Sequence, residues 1–202
     1  MSAIPTTVLP KLALPGAGLP KLELMVAKLI FRLEVLRSSR DQAAATFSLQ
    51  QHEIQRLVTP CDAATASQQV LIDRLRGLED SSRNWSIFMT LDHLRIVNDA
   101  IADAITLLLA GKMPPRAAST AAVKPDPAVD GRVVAAFEES CRNFAKCVVG
   151  APDLNTQLKY AHPWFGPLDA ASWHLLAGFH MGLHRRQIEA ILARSQKSGN
   201  RR

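Results

Sequence analysis

Disulfide chemistry is the first thing this sequence lacks. Its 202 residues hold three cysteines, Cys61, Cys141 and Cys147, an odd number with no CxxC pair, which argues against a disulfide framework. Cys141 and Cys147 lie six apart and would point in different directions on one helix, so they read as small core residues rather than ligands. Aromatic residues are scarce at 5%, and Ala and Leu dominate in their place, a balance that favours helices over sheets. No apolar run approaches the length of a membrane span. The N-terminus carries no charged start, apolar core and small-residue cleavage site in succession, so no secretory signal is visible and a cytoplasmic location is expected. The hydrophobic share of 48% excludes a disordered chain, and the length suits one well-buried core.

Basic residues outnumber acidic ones, 24 to 18, for a net charge of +6. Much of the excess lies at the C-terminus, in Arg194, Lys197, Arg201 and Arg202. Elsewhere the two signs alternate as on a solvated helical face. No aromatic-studded basic stripe is present, and nucleic acid is not an expected partner.

Pro5, Pro10, Pro15 and Pro20, with Gly16 and Gly18, mark residues 1–20 as an extended arm. From Lys21 to about Arg37 apolar residues recur at helical spacing, which predicts an additional N-terminal helix that docks on the bundle or on a second subunit. Further helices are expected from about Asp41 to Val58, Ala64 to Arg76, Trp85 to Leu109, Asp130 to Val149, and from Asp169, a plausible N-cap, to Arg194. Strands find almost no support. The proline-rich stretch from Gly111 to Asp130 is long for a loop inside one domain, but its length suits a crossover between the ends of a four-helix bundle. The chain thus divides into residues 1–40 (arm and extra helix), 41–195 (bundle) and 196–202, a basic tail expected to lack fixed structure.

The histidines carry the chemistry. Projected at about 100° per residue, Trp173, Leu176, Ala177, Leu183, His184, Gln187 and Ile191 fall within about 60° of His180. His180 and His184 therefore sit one turn apart in the apolar stripe, placed to grip one ion together. His174 projects about 120° away, beside charged residues, and reads as a surface histidine. On the preceding long helix, His93 shares its stripe with Met89, Val97, Ile101, Ala104 and Leu108. Three imidazoles inside one apolar core resist protonation, because desolvation and mutual repulsion both oppose it, and neutral imidazole offers a lone pair to a divalent cation.

Two local patterns resemble the DinB-like (YfiT-like) superfamily of bacterial four-helix metalloproteins. One is Asn84-Trp85-Ser86-Ile87 followed by Asp92-His93-Leu94. The other is His162-Pro163-Trp164-Phe165-Gly166-Pro167-Leu168, then Trp173, then His180-x-x-x-His184-x-x-Gln187. The likeness covers about residues 40–195 and leaves the first forty as an addition. It implies an all-α fold, a DinB-like four-helix bundle with a long crossover connection and an extra N-terminal helix. It also implies a metal site of three histidines from two helices, which fall on His93, His180 and His184. His162-Pro163 becomes loop structure near the site, and Gln187 a supporting or packing residue.

Three neutral histidines leave an ion with open positions for a ligand. With no carboxylate among them, the site favours an anion such as a thiolate. Zinc, nickel and ferrous iron all accept three imidazoles. The resemblance implies a metal-dependent thiol S-transferase using a small thiol. The alternative is a non-catalytic helical module with a structural or vestigial metal site. No clear general base stands out, since Asp92 projects about 100° from its neighbour His93. The amphipathic Lys21–Arg37 helix needs a surface to cover, which makes a homodimer the expected assembly.

Overall fold

The computed structural model describes residues 11–199. Six helices dominate it: α1 (Lys21–Arg37), α2 (Arg40–Val58), α3 (Ala63–Ser67), α4 (Ile87–Leu109), α5 (Val133–Gly150) and α6 (Ala170–Gly199). Four short strands, β1 (Val70–Leu71), β2 (Asn84–Trp85), β3 (Tyr160–His162) and β4 (Gly166–Leu168), pair into two antiparallel ladders. Of the proline-marked arm, Pro5 and Pro10 lie outside the described residues, as do residues 200–202 of the basic tail.

Helix starts are set by side chains that satisfy the first free backbone N–H groups. Ser39 and Gln42 form a reciprocal capping box at α2. Ser86 Oγ accepts from Met89 N at 3.1 Å at the start of α4, and Asp169 accepts from Ser172 N at 2.8 Å at the start of α6. Each bond removes an unsatisfied donor, and the geometry fixes which residue begins the helix and so which way every later side chain points.

Helices α2, α4, α5 and α6 form a bundle around Phe47, Ile54, Leu94, Ile105, Phe137, Phe144, Met181 and Ile188, all nearly inaccessible to solvent. Contacts between α4 and α5 advance in step: Phe88 with Gly131, Asn98 with Ser140, Thr106 with Cys147. The two helices therefore run parallel. Helices α2 and α6 also run parallel, Phe47 lying by Gly178 and Gln50 by Gly182. Gly178 makes that approach close, since a Cβ there would stand 3.3 Å from the Phe47 backbone nitrogen.

Three expectations need correction. The helix expected over Ala64–Arg76 ends at Ser67, and Val70 and Leu71 instead pair with Trp85 and Asn84. Ile72 continues the ladder, donating to Arg83 O at 3.0 Å and accepting from Arg83 Nε at 3.0 Å. A three-residue run of Val, Leu and Ile cannot distinguish helix from strand, and pairing with the segment before α4 decides it. Strands are present for the same reason: the segments before α4 and before α6 each fold back and pair with themselves. Helix α6 runs past Arg194 to Gly199, since no glycine or proline lies between those two residues.

Helix α1 lies on the outside of the bundle, where Phe31 meets Phe179 of α6 edge-on with ring centres 6.2 Å apart. Only Phe31 is buried, stacked on Phe165 with ring centres 4.5 Å apart. Glu23 ties its first turn to Arg74 and to Gly77 N, each at 2.6 Å. No helix among the described residues is long and apolar enough to cross a membrane.

Candidate metal centre

Ser86 starts α4 so that His93 falls two turns in, within an unbroken buried run from Trp85 to Leu94. Helix α6 crosses α4 and presents His180 and His184 to it. The three rings meet: His93 and His180 have centres 4.9 Å apart, His93 and His184 4.5 Å, His180 and His184 4.5 Å. One nitrogen from each lies within 4.8 Å of the others, and Nε2 of His93 is 3.1 Å from Nε2 of His180. Trp85 closes one side, its ring centre 5.0 Å from His93 and 6.0 Å from His184.

Outer hydrogen bonds decide which nitrogens carry protons. His93 Nδ1 lies 2.6 Å from the Val123 carbonyl, which can only accept, so Nδ1 is protonated and Nε2 bare. Gln187 donates through Nε2 to Ser82 O at 2.7 Å. That leaves its Oε1 for His184 Nδ1 at 2.7 Å, and His184 Nε2 is bare as well. A third outer partner is missing, for His180 Nδ1 is buried with none.

The rings are neutral. Burial pushes His93 down to about 4, helped by nearby Lys124 and opposed by the Val123 bond. Burial likewise holds His180 and His184 well below the ordinary histidine value, with repulsion between the rings adding to it. Three neutral imidazoles, two with the lone pair turned inward, fit a divalent cation, and His93, His180 and His184 would hold it.

Carboxylates near the rings are engaged elsewhere. Asp92 pairs with Arg95 at 2.8 Å and accepts from Asp126 N at 3.1 Å. Glu79 is buried, which pushes its carboxyl up, but Lys124 at 2.5 Å, Gly18 N and Ser81 outweigh this and hold it below the usual value. This knot joins the arm, the turn before α4 and the 110–132 connection beside the three rings.

A cavity of about 860 Å³ opens against the histidines. Its walls are mostly apolar, with Ile101, Ala104 and Leu107 from α4 and Trp164 and Trp173 opposite. His162 lines the same cavity from the β3–β4 hairpin.

His174 does not lie on the surface; it is 1% exposed, with its ring 5.9 Å from Phe144. The wheel fails there because Ser172 through Gly178 are buried on every side, and a helix without a solvent face has no polar stripe to read. Burial also pushes His174 down to about 4. Cys141 is a buried core residue whose thiol burial pushes up to about 12, while Cys61 and Cys147 pack half-buried against the core. Sequence reasoning missed the Val123 carbonyl, a backbone group with no sequence signal, and the Glu79–Lys124 pair, whose partners lie 45 residues apart.

No family model matches the sequence, and no curated protein does. In structure the chain is similar to the crystal structure of TT2238, a four-helix bundle protein. The TM-score is 0.56 at 20% identity, over 75% of this chain and 99% of that one. At that identity the likeness shows a shared helical-bundle fold.

Proposed function

We propose that this chain is a DinB-like metalloprotein in which His93, His180 and His184 hold one divalent ion, zinc, nickel or iron, and that it transfers small thiols onto an apolar substrate. The observation that carries this reading is the meeting of three neutral imidazoles from two helices, two of them oriented by Val123 and Gln187. Such outer bonds fix tautomer and ring direction in metal-binding histidines. The parallel course of α4 and α5 suits the crossover expected of this bundle type.

An ion bound by three imidazoles keeps open positions and supplies Lewis acidity to a ligand there. The protein's own contribution is threefold. The histidines add no negative charge, which leaves the site attractive to an anion such as a thiolate. The apolar cavity wall takes up the body of an organic substrate and excludes water from it. Trp85 packs against the His93 and His184 rings, and the Glu79–Lys124 pair lines the cavity beside them. Free cysteines fit a reducing, cytoplasmic setting in which small thiols stay reduced.

The test is a panel of small thiols and electrophilic acceptors assayed with the wild type and with His93→Ala. Transfer by the wild type that falls at least a hundredfold in the variant supports the reading; transfer indifferent to the substitution removes it. A second reading, a non-catalytic module, is favoured by one observation: among the described residues the nearby carboxylates Asp92 and Glu79 are both bound in ion pairs, so neither is a free base for the rings. Helix α1 exposes Leu22, Met25, Leu29 and Leu36, and we assign it to a homodimer contact.

A further inference from the structure

We propose that His162 is a ligand-binding residue, whose Nε2–H donates a hydrogen bond to a small anion seated at the three-histidine centre. The proposal rests on the metal reading above and names what completes the site.

The hairpin itself decides the tautomer. His162 pairs with Gly166 across the β3–β4 ladder, and the three residues between them curl back over its ring. Backbone N–H groups of Trp164 and Phe165 both donate to Nδ1, at 3.1 and 3.3 Å. A nitrogen accepting two N–H groups has no proton of its own, so in the neutral ring the proton sits on Nε2. The ring is neutral because burial pushes it down to about 4.

Neighbouring aromatics hold the ring still. Phe165 stacks on it with centres 4.9 Å apart, and Trp173 meets it nearly edge-on at 5.4 Å. Among the described residues Nε2 has no hydrogen-bond partner, yet the ring forms part of the wall of the cavity that His93, His180 and His184 also line.

A hairpin staple needs only the Nδ1 acceptor, which a side chain as small as Asn supplies. The oriented, unpartnered donor on the other side of the ring is surplus to that purpose. In a mostly apolar cavity a donor gains most from an acceptor that carries charge. A small anion or thiolate at the centre is such an acceptor, and the proton on Nε2 stays with His162 throughout.

Two substitutions separate the two sides of the ring. His162→Asn keeps an acceptor near the Nδ1 position and removes the donor. His162→Gln keeps a donor near the Nε2 position and removes the acceptor. The full-length protein is loaded with cobalt(II), azide is titrated in, and visible absorption reports binding; thermal melting reports the hairpin. We expect Asn to weaken azide binding about tenfold, the loss of one charge-assisted bond. Cobalt affinity and melting temperature should then stay close to wild type. Gln should keep azide affinity within about threefold while melting earlier. If Asn fails to fold, the Gln variant decides alone, by keeping or losing azide. Azide affinity unchanged in Asn, or falling in both variants in step with stability, overturns the proposal while the metal reading stands. A wild type that takes up no cobalt overturns both.

Discussion

A histidine buried among leucines is stable at neutral pH only as the neutral ring, and what its two nitrogens then do depends on their neighbours. At His93 and His184 the neighbours are a carbonyl and an amide oxygen, which accept a hydrogen bond from Nδ1–H and so turn the Nε2 lone pair inward. Replacing Gln187 with Leu frees the His184 ring, and we expect metal affinity to fall roughly tenfold to a hundredfold, the usual cost of losing an outer partner. Competition with a chromophoric chelator measures this. At His174 no metal is involved and the consequence is acid sensitivity. Burial holds its folded pKa at about 4, below the ordinary histidine value of 6.5, so the unfolded chain binds the extra proton between those values. Stability is undiminished above pH 6.5, declines as the pH falls below it, and the loss is complete near 4. A His174→Leu variant should show a shallower acid limb in urea melts of the metal-free protein, by at most about 1.4 kcal/mol per pH unit. An unchanged limb would show that His174 is protonated in the folded state.

The long helices were legible because periodicity and capping residues agree there, as at Asp169. His93, His180 and His184 were legible for the same reason: each helix has a definite apolar stripe, and each histidine lies in it. Periodicity could not show that the two stripes face one another; that follows from how α6 packs between α2 and α4. Where a helix is buried all round, as in the first turns of α6, the wheel misplaces His174. Where an apolar run is three residues long, as at Val70–Ile72, tertiary pairing overrides any helical reading. At Gly178 the helices α2 and α6 approach closely. Alanine there gains about 1 kcal/mol of helix propensity, which offsets part of its clash with the Phe47 backbone. Gly178→Leu has no such relief and should cost roughly 1–3 kcal/mol by overpacking, measurable by chemical denaturation. A neutral effect would mean that the two helices can part without loss.

At the scale of the whole molecule, a bundle with a helical-bundle structural neighbour carries two features that a simple bundle does not need. One is α1, with Leu22 70% and Leu36 81% exposed, an apolar surface that water disfavours and a second copy would cover. Sedimentation should find a dimer that Leu29→Glu with Leu33→Glu converts to monomer; a monomeric wild type removes the assignment. The other is the histidine centre at the base of the cavity. Elemental analysis of protein purified without a histidine tag tests it most directly. Close to one divalent ion per chain, absent from His180→Ala, is the predicted result. Protein that is metal-free as isolated and takes up no zinc, nickel or iron at equimolar addition would contradict it.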